Sequence, residues 1–251
     1  MTLQSLPAVH LDEQKRITML TTALALLVAH LLADYPLQNS WIVANKKQPL
    51  AMGAHIGVVF LLTLLALRGE VIPAIAIAAL HLGIDLIKKH FAPETLWAYV
   101  ADQVAHVATL AGVLWLWPAL GGLWPETTPI VQYLLTIIAG LILCVFAGGP
   151  AIGLLMKDFE DSQPPSLPQA GRMIGLLERA LIFLMVLAGQ PAGIGFLIAA
   201  KSVLRFDTAS KDQRASEYVI IGTLASFGWA LLISFATLSL ITFYGMDPTP
   251  S

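Results

Sequence analysis

His30, Asp34 and His55 stand at intervals of 4 and 21 residues, and His81, Asp85 and His106 repeat those intervals 51 residues later. Imidazole and carboxylate bind divalent cations, pass protons and orient water, and both triplets lie in apolar stretches where such groups are costly. Positions i and i+4 share one helix face, so His30 with Asp34, and His81 with Asp85, each present a nitrogen and an oxygen donor along one edge. The second copy adds Asp102 four residues before His106, where the first copy has Ala51. The candidate metal ligands are therefore His30, Asp34, His55, His81, Asp85, Asp102 and His106. Without a thiolate among them, the set suits Zn²⁺, with Mn²⁺ or Fe²⁺ as alternatives. These donors outnumber the needs of one tetrahedral ion. Either two ions share them, or some aspartates orient histidines by accepting a free ring N–H. The four histidines, Asp85 and Asp102 rank ahead of Asp34 as direct ligands, and Asp85 or Asp102, if not a ligand, is the candidate general base.

The elements that position these groups must be membrane helices. Of 251 residues, 57% are hydrophobic and 12% are charged, against roughly 25% charged in a soluble domain. The expected fold class is all-α, a polytopic transmembrane helix bundle forming a single membrane domain over 1–251. Apolar length and turn residues predict about eight spans, near 17–36, 50–67, 71–90, 96–117, 129–147, 173–189, 192–206 and 217–243. The runs are continuous rather than alternating, and a helix satisfies its own backbone in lipid. A period of 51 residues equals one helical hairpin with its connections, so the segment 17–118 reads as two tandem copies of a hairpin entering the membrane in the same direction. That layout puts all four histidines within about two helical turns of one another in depth.

Charge distribution gives an orientation. With eight spans, one side collects Lys46, Lys47, Lys88, Lys89, Lys157, Arg172, Arg179, Lys201, Arg205, Lys211 and Arg214, and the other only Lys15, Arg16 and Arg68. The basic side should be cytoplasmic, with both termini on the opposite side. A net charge of −2 gives no reason to expect nucleic acid as a partner. One cysteine, Cys144, supports neither a disulfide framework nor a thiolate metal cluster. The first apolar run begins near Ile17 behind a polar tail with no small-residue cleavage site after it, so no cleaved leader is expected. The Pro- and acid-rich stretch 157–171 reads as a flexible connection.

The C-terminal helices, over 129–244, carry a second polar group. Arg172, Glu178 and Arg179 open one helix, Lys201 and Arg205 lie four apart on another, and Glu217 and Tyr218 begin the last. On the bland reading these cations anchor helix ends at anionic headgroups, while Gly171 and Gly175 allow close packing. The functional reading makes Arg172, Arg179, Lys201 and Arg205 a pocket for phosphate or carboxylate, with Glu178 and Glu217 holding the cations or Glu178 acting in proton transfer. A cationic pocket on the same membrane face as the histidine layer points to a lipid or lipid-like anionic substrate. His10 and His90 fall outside both groups, one in the polar tail and one beside Lys88 and Lys89 at a helix end.

The motifs "HLLADYPLQ", "HLGID", "ADQVAH", "GRMIGLLERALI" and "AAKSVLRF…EYVIIGTLAS", in that order, resemble the bacterial membrane proteins of domain-of-unknown-function family 3307. The resemblance covers nearly the whole chain and implies a small protein of the bacterial inner (cytoplasmic) membrane, with no activity attached. More loosely, the His/Asp pattern is similar to that of membrane-bound metal-dependent hydrolases, an analogy that transfers no residue role. The leading expectation is an intramembrane metal-dependent hydrolase holding one or two divalent ions. Its rivals are a transporter using the His/Asp layer as a proton relay and a metal-stabilised scaffold or sensor.

Overall fold

Apolar side chains that would be buried in a soluble protein face outward here. On one helix Leu50, Leu61 and Leu65 are exposed, while the stripe Met52, His55, Val59, Thr63 and Ala66 is buried. This inverted pattern is what a lipid solvent selects, since hydrocarbon surroundings reward apolar exteriors and leave polar groups to find partners inside. The computed structural model describes residues 8–46, 48–124, 129–162, 169–209 and 213–245, with the side chains of 8–15, 160, 162 and 204–209 excepted. Lys47 and Lys211, two of the residues that set the expected orientation, lie outside the described residues.

All regular structure among the described residues is helical. The order is α1 (Ala8–Asp34), α2 (Ser40–Ala44), α3 (Pro49–Ala66), α4 (Val71–Phe91), α5 (Leu96–Leu116), α6 (Pro129–Ile142), α7 (Gly148–Met156), α8 (Ala170–Leu187), α9 (Ala192–Ala209) and α10 (Gln213–Phe243). A π-helical turn, Leu143–Ala147, joins α6 to α7, and 3₁₀ turns occupy Pro118–Gly122 and Lys157–Ser162. Each of the eight expected spans coincides with a helix, but among the described residues six helical stretches are both long and apolar enough to cross a membrane: Arg16–Asp34, Pro49–Ala66, Val71–Phe91, Leu96–Leu116, Pro129–Phe159 and Gln213–Phe243. The other two fall short for physical reasons. α8 carries Arg172, Glu178 and Arg179 within its 18 residues, and the apolar part of α9 is only Ala192–Val203.

The chain divides into two compact units. The first comprises residues 1–93, 100–139 and 245–251, and the second 94–99 and 140–244. In the first unit, α1 packs on α3 and α3 on α4. Its core joins Ala25, Leu26 and Ala29 of α1 to Leu67, Ala74, Ile77, Leu110 and Val113. The α3–α4 connection is tight: the Gly69 N–H returns to the Leu64 carbonyl at 2.9 Å, with Gly69 at φ +96°. That φ is open to glycine and strained for other residues, and it lets α4 turn straight back along α3. His55 lies eleven residues before the end of α3 and His81 ten after the start of α4, so the tight turn brings them to the same height. Away from the histidines, the 3₁₀ turn closes the bundle. Its Leu120 carbonyl accepts the Thr22 hydroxyl at 3.1 Å, and Trp124 Nε1 donates to the Ala66 carbonyl at 3.1 Å.

In the second unit the π turn is the organising feature. A wide turn frees main-chain carbonyls from the helical ladder, and three of them accept side chains. Leu143 O takes Trp229 Nε1 at 3.0 Å, Val145 O takes Arg179 Nη2 at 2.8 Å and Nε at 3.2 Å, and Ala147 O takes the Tyr99 hydroxyl at 3.1 Å. Gly148 makes room for this, because a Cβ there would stand 2.8 Å from the Trp229 ring and 2.9 Å from Arg179 Cδ.

Candidate metal centre

α1, α3, α4 and α5 each turn their inner stripe toward one layer in the first unit. His30, His55, His81, Asp85, Asp102 and His106 are buried and Asp34 nearly so. Counted from the nearest helix ends, the four histidines lie roughly 6–15 Å inside, and Asp34 is the last residue of α1. The ring centroids of His55 and His81 are 5.2 Å apart, those of His81 and His106 4.1 Å, and those of His106 and His30 5.1 Å. The four imidazoles expected to converge do converge.

Four donor atoms form the tightest group. His55 Nε2 lies 3.1 Å from His81 Nε2. Asp34 Oδ1 lies 3.5 Å from His55 Nε2 and 3.2 Å from His81 Nε2. Asp85 Oδ2 lies 3.5 Å from His55 Nε2 and 3.8 Å from His81 Nε2. Five of the six edges of a tetrahedron are thereby set. Tetrahedral zinc with bonds of about 2.0–2.2 Å has donor–donor edges of roughly 3.3–3.6 Å. These approaches are as short as hydrogen bonds, yet neither Asp34 Oδ1 nor Asp85 Oδ2 makes one of acceptable direction. Two buried carboxylate oxygens left without a hydrogen bond cost a great deal in a membrane interior. A cation between them and the two imidazoles removes that cost, and so the residues fit a divalent metal.

The other oxygen of each aspartate is held from behind, as ligating carboxylates usually are. Lys46 Nζ donates to Asp85 Oδ1 at 3.0 Å, and Gln103 Nε2 donates to Asp34 Oδ2 at 3.4 Å and to Asp102 Oδ2 at 3.2 Å. Lys88 Nζ meets Asp102 Oδ2 at 2.6 Å. Gln38, with its amide turned to suit its neighbours, donates to the Asp34 main-chain oxygen and accepts from Lys46 Nζ, both at 3.2 Å. His106 Nδ1 donates to the main-chain oxygen of Asp102 at 2.8 Å. A carbonyl can only accept, so Nδ1 carries the proton and Nε2 is the lone-pair nitrogen. Lys46, Lys88, Gln38 and Gln103 are partners of the layer that the spacing of His and Asp did not reveal. Lysines at helix ends read as headgroup anchors, and glutamine has no metal-ligand signature.

Among the described side chains of the second unit, Arg172, Arg179 and Lys201 do not share partners. Glu178 and Arg179 are adjacent in α8, about 100° apart around the helix, and find different partners. Both Glu178 carboxylate oxygens lie 2.8 Å from Lys201 Nζ, which also sits 5.3 Å from the centre of the Phe227 ring. Arg179 is buried against Val145 O and the Ser226 hydroxyl, 3.3 Å from Nη1. Arg172 is exposed, and Glu217, also exposed, accepts from Gln213 at 2.9 Å. The side chain of Arg205 lies outside the described residues.

With this geometry in place, the comparisons with known proteins fall on the same region. The family model for a protein of unknown function, DUF3307, matches residues 22–132, the stretch that holds every His and Asp of the layer. Over that stretch the chain is similar to the family, whose description assigns no function. No curated protein and no solved structure matches it.

Proposed function

We propose that this chain is an intramembrane metal-dependent hydrolase of the bacterial inner membrane, acting on a phosphorylated or otherwise anionic amphiphile at the cytoplasmic lipid interface. The observation that carries the reading is the four-donor set of Asp34, His55, His81 and Asp85, drawn from three helices with five separations between 3.1 and 3.8 Å. A divalent ion held there supplies Lewis acidity and lowers the pKa of water. Asp34 and Asp85 hold the ion, which takes Asp85 out of the proton-transfer role. The lysines that steady the carboxylates are 31% and 37% exposed, and they give the mouth of the layer a positive rim suited to an anionic headgroup.

The test is metal analysis of the full chain purified in detergent, with phosphate release from a phosphorylated long-chain alcohol in mixed micelles. Bound transition metal near one equivalent or more, lost in the His55→Ala, His81→Ala double variant together with turnover, supports the reading. Only trace metal after reloading ends it.

One observation favours a second reading. The unbroken series of ring contacts from His55 through His81 and His106 to His30 suits a proton relay in a coupled transporter. Flux in proteoliposomes that persists after complete chelation would select it over the hydrolase.

A further inference from the structure

We propose that the layer also holds a second, weaker divalent cation, at His30, Asp102 and His106, with Asp85 shared between the two ions. The inference rests on the reading of the four-donor set as a metal site and extends it.

Once Asp34 Oδ1 and Asp85 Oδ2 are assigned to the first ion, four buried side-chain atoms of the layer still have no hydrogen-bond partner: His30 Nε2, His55 Nδ1, Asp102 Oδ1 and His106 Nε2. His55 already gives its other nitrogen to the first set, which leaves His30, Asp102 and His106. Both histidines are more than nine-tenths buried, at 4% and 2% exposure. Their rings stack at 5.1 Å with only 20° between planes. Both rings, with His81, line a small cavity completed by Thr63, Thr109 and apolar side chains, with about the room one water molecule needs. Asp85, Asp102 and His106 can each bring one donor atom within 4.8 Å of the others, and so can His30, Asp34 and His81. The lone pair of His106 Nε2 and the oxygens of Asp102 and Asp85, buried beside the His30 ring, are the donor types a divalent cation takes.

Charge decides the order of binding. Asp34, Asp85 and Asp102 bring −3 and Lys46 and Lys88 bring +2, so the layer with neutral imidazoles stands at −1. The first divalent ion takes it to +1, and a second would take it to +3 with both lysines in place. Lys88 Nζ, 2.6 Å from Asp102 Oδ2, is the cation a second ion has to displace. Its side chain is 37% exposed and long enough to withdraw toward water. The second ion therefore binds more weakly than the first and in competition with Lys88.

Zinc titration of the metal-stripped full chain in detergent, followed by calorimetry and elemental analysis, tests this. We expect two zinc ions per wild-type chain, the second about tenfold or more weaker. His106→Ala should retain one. Lys88→Ala, checked for its fold by detergent unfolding because it removes the ammonium beside buried Asp102, should keep both and tighten only the second, by about tenfold. Saturation of the wild type at one ion, or a second affinity unmoved by Lys88→Ala, overturns the second site and leaves the first standing. No binding at all overturns the four-donor reading itself.

Discussion

Asp34→Asn removes one negative charge and one donor from the four-atom set while keeping the shape of the side chain. The five measured edges of that set average about 3.4 Å. A regular tetrahedron of that edge has its corners about 2.1 Å from its centre, the length of zinc bonds to nitrogen and oxygen. Zinc-loaded wild type should therefore give an X-ray absorption spectrum with only nitrogen and oxygen neighbours near 2.0–2.1 Å. Losing a residue that merely supports a ligand costs about 10–100-fold in metal affinity. Losing an anionic direct donor exceeds that, so Asp34→Asn should weaken the first ion by at least about 100-fold, or ~2.7 kcal/mol. Asp102→Asn is the control. Asp102 lies outside the four-donor set and its Oδ2 is committed to Lys88 and Gln103, so the first ion should lose less than about tenfold. Competition against a chelating dye measures both. A larger loss for Asp102→Asn than for Asp34→Asn, or a spectrum of oxygen neighbours alone, would refute the assignment.

Three further outcomes follow from the same contacts. Each bound imidazole must be deprotonated, so acidification should release the ion, by up to about 100-fold per pH unit once both His55 and His81 compete with protons; dialysis against graded pH with metal analysis reads this, and pH-independent retention would contradict imidazole ligation. Arg179→Ala strips Val145 O of both its donors and leaves a hole beside Gly148. It should destabilise the protein by ~2–4 kcal/mol in detergent unfolding while leaving the zinc stoichiometry unchanged. Glu178→Gln leaves the Lys201 ammonium without its carboxylate, at a cost of ~2–4 kcal/mol. Adding Lys201→Met should recover much of that loss, and a strictly additive double variant would show that the pair is not coupled.

The spans and the histidine layer were legible because both are periodic. Apolar runs of bilayer length mark the helices, and the interval of 51 marks His30, Asp34, His55, His81, Asp85 and His106 as one group. The rank order of the aspartates was not legible. Spacing says which face a carboxylate occupies but not which oxygen looks inward, and the tertiary partners decide that: Lys46 draws Oδ1 of Asp85 outward, while Lys88 and Gln103 hold Oδ2 of Asp102. Asp34, ranked last by sequence, has an oxygen in the tightest set. Lys46 and Lys88 are 42 residues apart, out of step with the repeat, so no periodicity pointed to them. In the second unit, adjacency in sequence suggested that Glu178 and Arg179 act together. A helix separates neighbours by about 100°, and the π turn, which has no evident sequence mark, supplies the carbonyl that takes Arg179.

The duplication explains why the layer splits as it does. Each hairpin copy contributes one histidine and one aspartate to the four-donor set, Asp34 and His55 from the first and His81 and Asp85 from the second. What remains is one histidine from each copy, His30 and His106, and these are the two whose rings stack around the cavity. An exact repeat would leave that pair with no carboxylate of its own. Asp102 breaks the repeat at the position where the first copy has Ala51, which is fully buried. The single departure from the repeat thus sits where it turns two leftover imidazoles into a third-donor site, and Lys88 on the same carboxylate sets how readily that site accepts a cation.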